Sequence, residues 1–131
     1  MISLWPRRRP PTLGRQGENA AARYLRKQGF KIIERNAKLG PYEIDIIARE
    51  GDTIAFVEVK TRRSDDFADP EVSVTPAKEQ HIRKAARRYM ERHDDGRTYF
   101  RYDIVSVVLP DAGKPRITLI RDAFQERPRR P

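Results

Sequence analysis

Two pairs of charged residues flank a Gly-Asp dipeptide at spacings that could bring all four together on one side of a hairpin. The pairs are Glu43 and Asp45 before Gly51-Asp52, and Glu58 and Lys60 after it. A Gly-Asp dipeptide between two apolar runs favours a two-residue hairpin loop. With that loop, Asp45 lies opposite Glu58 and Glu43 opposite Lys60, and directly opposed residues share a face of the sheet. The other face would then carry Ile44, Ile46, Ala48, Val57 and Val59.

The opposition of Asp45 and Glu58 suggests a metal site. Like charges directly across two strands destabilise the pair by a few tenths to about 1 kcal/mol, so a compensating cation is expected. Mg²⁺ prefers carboxylate oxygens, and Mn²⁺ would serve the same site. Lys60, two residues beyond Glu58, could then hold an attacking water or a phosphoryl oxygen, which is the chemistry of phosphodiester hydrolysis. The alternative is a solvated sheet surface with ion pairs such as Glu43 with Lys60.

Glu18 is a third candidate at this site. It falls on the same face of the first predicted helix as Ala21, Ala22 and Leu25, where a lone carboxylate needs a partner. If that helix packs beside the hairpin, Glu18 could be a further acid at the metal. Equally, it could be an ordinary acidic residue near a helix N-terminus, favoured by the helix dipole.

The elements that must position these residues form one α/β domain. Apolar periodicity predicts helices over about residues 16–28 and 75–93, and strands over 30–36, 43–49, 53–60, 99–109 and 116–120. The order α-β-β-β-α-β-β indicates a mixed central sheet flanked by helices, in a single domain over residues 14–125. The Pro- and Arg-rich segments 1–13 and 126–131 are expected to be disordered basic tails.

Composition narrows the possible chemistry and partners. The absence of cysteine excludes disulfides, thiolate nucleophiles and Cys-ligated metals. No apolar stretch approaches the roughly 20 residues that span a bilayer, so we expect a cytoplasmic protein without membrane contact. The net charge of +9 is compatible with a polyanionic partner, but more than half of it lies in the two tails. Charge kept for solubility explains the remainder equally well.

A run of basic residues extends the site toward a phosphate-binding surface. It comprises Arg62 and Arg63 after the third predicted strand, and Arg83, Lys84, Arg87, Arg88 and Arg92 on the second predicted helix. The run indicates contacts with a nucleic-acid backbone, although a solvated helix face would look the same. Arg101 and Asp103 suit an internal ion pair supporting the site as well as direct catalysis. His81 and His93 have no zinc-ligand spacing and are expected at the surface.

Several motifs together resemble one bacterial family of nucleases. Asp45 with Glu58-Val59-Lys60 resembles the D…ExK signature of the PD-(D/E)xK superfamily and its restriction-endonuclease-like α-β-β-β-α-β core. Within that superfamily the chain is similar to the YraN-like predicted endonucleases, which are related in fold to archaeal Holliday junction resolvases. The matching runs are Gly14-Arg15-Gln16-Gly17-Glu18, Glu43-Ile44-Asp45, Phe56-Val57-Glu58-Val59-Lys60, Arg101-Tyr102-Asp103-Ile104-Val105 and Ile120-Arg121-Asp122-Ala123-Phe124.

The resemblance implies a function and further site residues. Glu18, Asp45, Glu58 and Lys60 would be the site residues, with the main-chain oxygen of Val59 as a further metal ligand. Lys78 or Gln80 would lie beside the site. The activity would be Mg²⁺- or Mn²⁺-dependent cleavage of DNA rather than RNA by a homodimer, with branched or structured DNA as a candidate substrate. The alternatives are a nucleic-acid-binding module that kept the fold without cleaving, and an adaptor that binds only protein.

Overall fold

The computed structural model describes residues 10–63 and 74–126, and these form two helices and five strands in the predicted order. The elements are α1 (Leu13–Lys27), β1 (Lys31–Leu39), β2 (Tyr42–Glu50), β3 (Thr53–Arg62), α2 (Pro76–His93), β4 (Tyr99–Val108) and β5 (Arg116–Phe124). The prediction of a mixed α/β domain with an α-β-β-β-α-β core is confirmed.

The five strands form one sheet in sequence order, β1-β2-β3-β4-β5. Only β3 and β4 run parallel, because the connection between them contains α2 and returns the chain to the same end of the sheet. The predicted hairpin between β2 and β3 is present, with Gly51 at φ +62° in its turn. Glu50 faces Thr53 and Ile46 faces Val57, so the predicted register is correct over this stretch.

The helices cover opposite faces of the sheet. On one face α1 packs Leu25 among Ile46, Val57, Val105 and Val107. On the other face α2 packs apolar side chains that include Ile82 and Tyr89 against Ile44, Ile47 and Phe56. Because both faces are covered, the central strands are apolar on both sides, which is why β3 and β4 read as continuous apolar runs.

The predicted division of β2 into one apolar and one charged face is wrong in part. Ile44 belongs to the cluster under α2, whereas Ile46 and Val57 belong to the cluster under α1. The change of face falls at Asp45, and its neighbour Asn36 on β1 has a positive φ of 51°. Such a backbone kink interrupts the two-residue alternation, so a strict period of two does not describe this part of β2.

The first helix and the last strand are longer than the sequence indicates. Thr12 caps α1 by accepting a hydrogen bond from the Arg15 amide, so the helix begins at Leu13. β5 continues to Phe124, four residues beyond its predicted end. Residues 1–9 and 127–131 of the predicted tails lie outside the described residues, as does most of the predicted loop before α2.

Candidate functional site

The site opens where β2 and β3 separate. Their main-chain pairing ends at Ile46 and Val57, and at the next position the Asp45 side chain accepts a hydrogen bond from the Val59 amide, with Oδ2 2.8 Å from the nitrogen. A carboxylate thus replaces a main-chain acceptor and leaves a gap between the strands. The gap is a pocket of about 360 Å³, here called the acidic pocket, lined by Gly14, Glu18, Asp45, Glu58, Val59, Lys60 and Thr61.

Glu58 is the most perturbed acid of the pocket. It is only 7% exposed. Burial, and next the neighbouring Asp45 carboxylate, raise the pKa of Glu58 to about 8, against the opposing charges of Lys78 and Lys60. Lys78 Nζ lies 3.8 Å from Glu58 Oε1, whereas the buried Oε2 has no hydrogen-bond partner among the described residues. The carboxyl group therefore has one oxygen available for a proton or a cation.

Lys60, Lys78 and Gln80, the predicted neighbours of Glu58, occupy different positions around it. Lys60 lines the acidic pocket and its side chain is exposed. Lys78, in the first turn of α2, lies beside Glu58 as the sequence resemblance implies. Gln80 is half-buried on the same helix and is not part of the pocket lining.

Glu18 lines the acidic pocket, but its carboxylate is hydrogen-bonded to two residues of β1. Its Oε1 accepts hydrogen bonds from Asn36 Nδ2 at 2.7 Å and from Arg35 Nε at 3.2 Å. The predicted need of this buried carboxylate for partners is therefore met by two residues that the sequence analysis did not identify. Asn is the kind of residue that tolerates the positive φ found at Asn36, but the sequence contains no separate signal for that kink.

A close helix–strand contact fixes α1 over the pocket. A methyl group added at Gly17 would lie 1.9 Å from Thr61 Oγ1, so only glycine allows α1 to approach β3 this closely. Glu18 follows directly in the helix, and the contact therefore determines where its carboxylate enters the pocket.

The residues present fit a divalent cation held by two carboxylates. Asp45 and Glu58 are adjacent, and Glu58 Oε2 has no partner in the part of the chain that the structure describes. Across residues 10–63 and 74–126, no group of three or more acidic or histidine side chains is arranged to hold a metal, since Glu18 is turned to Arg35 and Asn36. Mg²⁺ commonly takes one or two protein carboxylates and fills its remaining positions with water and phosphate, so the pair suffices.

The structure divides the predicted basic residues of α2. The prediction that Arg83 lies on the exposed face is wrong: it is 4% exposed, its Nε donates to the Gln125 carbonyl at 2.9 Å, and its guanidinium lies over Phe124. Arg87 is paired with Glu126, with Nη2 2.6 Å from Oε1. Lys84, Arg88 and Arg92 are exposed as predicted.

The basic residues after the site strand are less uniform than expected. Arg62 is half-buried, and its Nη2 has no hydrogen-bond partner among the described residues. Arg63 is exposed, with Nη1 3.9 Å from Asp111 Oδ1. Arg62 follows directly on Thr61, the last lining residue of the acidic pocket, and Arg63 comes next, but neither lines the pocket itself.

Arg101 and Asp103 form the internal ion pair that was one of the two interpretations. Arg101 Nε donates to the fully buried Asp103 at 2.8 Å, and its Nη2 reaches Glu50 Oε1 at 2.8 Å. Arg121 donates to the same Glu50 carboxylate. This network lies beside the Gly51 turn and contributes nothing to the lining of the acidic pocket.

His81 and His93 are at the surface as predicted.

In the described part of the chain, neither helix is long and apolar enough to cross a membrane.

Comparison with known proteins places the chain among relatives of similar length. A family model described as "Uncharacterised protein family UPF0102" matches residues 17–107. A UPF0102 protein of Solibacter usitatus is 46% identical over 120 residues, covering 90% of this chain and 89% of the relative. UPF0102 proteins of Syntrophus aciditrophicus and Rhodococcus opacus are 46% and 40% identical, each over 112 residues and 86% of this chain, covering 87% and 95% of the relatives. The matched region contains every residue that lines the acidic pocket except Gly14.

Proposed function

The chain belongs to the UPF0102 family, and on that premise we propose that it is a metal-dependent endonuclease that hydrolyses phosphodiester bonds in DNA. We also propose that it is a YraN-like nuclease of the PD-(D/E)xK superfamily, which its sequence motifs resemble. The observation that supports it is the juxtaposition of Asp45 and Glu58 in a pocket that also contains Lys60.

The acid pair is difficult to explain as ordinary surface. In a solvated cluster both carboxylates would face water, and their repulsion would cost little. Glu58 is instead buried against Asp45, and within residues 10–63 and 74–126 its Oε2 has no hydrogen-bond partner. A buried polar atom without a partner costs about 1–3 kcal/mol, and a buried charge costs more. Such a cost is expected where the acid is kept for a ligand.

The residues of the pocket have distinct roles in the proposed reaction. Asp45 and Glu58 would hold Mg²⁺ or Mn²⁺, with the carbonyl oxygen of Val59 as a further ligand. The bound cation would supply Lewis-acid stabilisation of the charge that develops on the phosphoryl oxygens. The Val59 amide orients Asp45, and Lys78 orients Glu58. The exposed Lys60 ammonium would donate to a phosphoryl oxygen and stabilise the same charge electrostatically.

The proposal also covers the substrate, the oligomeric state and the cellular location. The substrate is DNA in preference to RNA, and branched or structured DNA would follow from the resemblance to junction resolvases. A homodimer and a cytoplasmic location belong to the same proposal. The net charge of +9 supports a polyanionic substrate but does not distinguish these finer points.

A cleavage assay tests this function. Labelled junction, duplex and single-stranded DNA, and RNA, are incubated with the protein in Mg²⁺, in Mn²⁺ and in EDTA. We expect metal-dependent cleavage of DNA that Asp45→Ala and Lys60→Ala each reduce by at least about 100-fold, since each removes part of the charge stabilisation. Lys27→Ala, at the far end of α1, is the matched control and should cleave like the wild type. Metal-independent binding without cleavage would support the binding module instead.

A further inference from the structure

A second concave surface lies between α2 and the turn that joins β1 to β2. This groove has a volume of about 440 Å³ and is lined by Tyr42, Lys84, Arg87, Arg88 and Glu91. We call it the cationic groove. It brings three basic side chains together with one acidic side chain and one aromatic ring.

The cations of the groove differ in whether they are already paired. Arg87 is bound to Glu126 through Nε and Nη2. Among the described residues, neither Lys84 nor Arg88 forms an ion pair, although Glu91 lines the same groove. The two unpaired cations, rather than the whole basic run of α2, are therefore available to an anionic ligand.

Packing holds both of these cations in place. Lys84 Nζ lies 5.7 Å from the ring centre of Tyr42. The Arg88 guanidinium rests on the β1–β2 turn, where a methyl group added at Gly40 would lie 2.8 Å from Arg88 Cζ. A cation that is already restrained loses less side-chain entropy when it binds a ligand.

The groove lies along β2, which supplies Asp45 to the acidic pocket, and along α2, whose Lys78 pairs with Glu58. Tyr42 precedes Asp45 by three residues on β2, about 10 Å at the rise of a strand. Lys84 follows Lys78, the partner of Glu58, by six residues on α2, about 9 Å at the rise of a helix. The groove and the acidic pocket are therefore offset by about 10 Å along each of these elements.

We propose that the cationic groove binds the sugar-phosphate backbone of a nucleic-acid strand next to the acidic pocket, with Lys84 and Arg88 as the phosphate contacts. This inference rests on the proposed function, since it takes nucleic acid as the ligand. It also corrects the basic surface expected from the sequence: Arg83 and Arg87 are engaged within the chain, Lys84 and Arg88 line the groove, and the exposed Arg92 lies outside its lining.

Salt dependence of binding tests the inference without any cleavage. Fluorescence anisotropy with labelled duplex DNA in EDTA, over a series of KCl concentrations, yields the slope of log affinity against log salt. Each phosphate contact contributes about 0.9 to that slope on duplex DNA, so Lys84→Ala/Arg88→Ala should make it shallower by about 1.8. The charge-retaining Lys84→Arg/Arg88→Lys should keep the wild-type slope.

A matched control lies on the opposite face of the sheet. Arg26 and Lys27 are exposed cations in the last turn of α1, and Arg26→Ala/Lys27→Ala removes the same charge. Its slope should stay close to that of the wild type. The inference is overturned if the groove variant keeps the wild-type slope, if both double variants change it equally, or if the wild type does not bind DNA. Because EDTA prevents cleavage, failure of nuclease activity alone leaves this result interpretable.

Discussion

Glu58 is a buried acid that binds a proton where no cation is present. Its ordinary pKa of 4.5 rises to about 8 because it is buried beside Asp45. The same carboxyl group must lose that proton to bind a metal, so metal binding and protonation compete. We therefore expect Mg²⁺ affinity to increase with pH up to about 8.

The stability of the metal-free protein should depend on this acid. Since the folded-state pKa is raised, the folded state binds more protons than the unfolded state between pH 4.5 and about 8. The free energy of unfolding should thus fall as pH rises through this interval, by at most about 1.4 kcal/mol per pH unit from this group. Denaturant unfolding in EDTA should show that Glu58→Gln lacks this component. A variant whose pH profile parallels the wild type would contradict the assignment.

Asn36 donates a hydrogen bond to Glu18, and its own backbone adopts a conformation that most residues avoid. At φ +51°, alanine is strained by about 1–2 kcal/mol, whereas glycine is not. Both substitutions lose the hydrogen bond to Glu18, so Asn36→Gly should be less destabilising than Asn36→Ala in denaturant unfolding. Lys38, exposed on the same strand, is the control: there glycine should be the worse of the two. Equal costs at Asn36 would show that the kink is not strained.

At the scale of the elements, the contact between α1 and β3 depends on one glycine. Gly17→Ala places a methyl group against Thr61, and we expect α1 to shift, at a cost of about 1–3 kcal/mol in unfolding free energy. Gly14→Ala, in the same helix with no atom within 4 Å of the added methyl, should be neutral or up to about 1 kcal/mol stabilising. The reverse order of the two variants would argue against the contact.

Sequence patterns were sufficient for the elements because their signals are local. The Gly51-Asp52 turn predicts the β2–β3 register, and Thr75-Pro76 predicts the start of α2. The separation of the strands at Asp45 was not predictable, because there a side-chain carboxylate, and not a main-chain carbonyl, accepts the hydrogen bond of the Val59 amide 14 residues away. The kink at Asn36 likewise belongs to a contact between β1 and α1.

At the scale of the whole molecule, the two ends of the sheet have different roles. The end beside the hairpin turn holds the ion network of Arg101 and Asp103, and the other end holds the acidic pocket.

Asp103→Ala would leave Arg101 without its buried partner, and we expect a loss of about 3–5 kcal/mol in unfolding free energy. Asp111→Ala, at an exposed pair, should cost no more than about 1 kcal/mol. If Asp103→Ala changed metal affinity while leaving stability intact, the network would belong to the site.

Local sequence patterns also could not predict which basic residues of α2 are buried or paired. Arg83 reads as part of a charged helix face, but the Gln125 carbonyl that receives its hydrogen bond lies 42 residues later in the chain. Arg87 is similarly paired with Glu126 after β5. Only the assembled domain shows which cations remain for a ligand.

Metal binding is the central claim, and a calorimetric titration with Mn²⁺ measures it most directly. The wild type should bind one ion per chain, and Asp45→Asn and Glu58→Gln should each abolish binding. Glu43→Gln, which removes an exposed acid from the same strand outside the acidic pocket, should bind like the wild type. Wild-type affinity in both Asp45→Asn and Glu58→Gln would contradict the account.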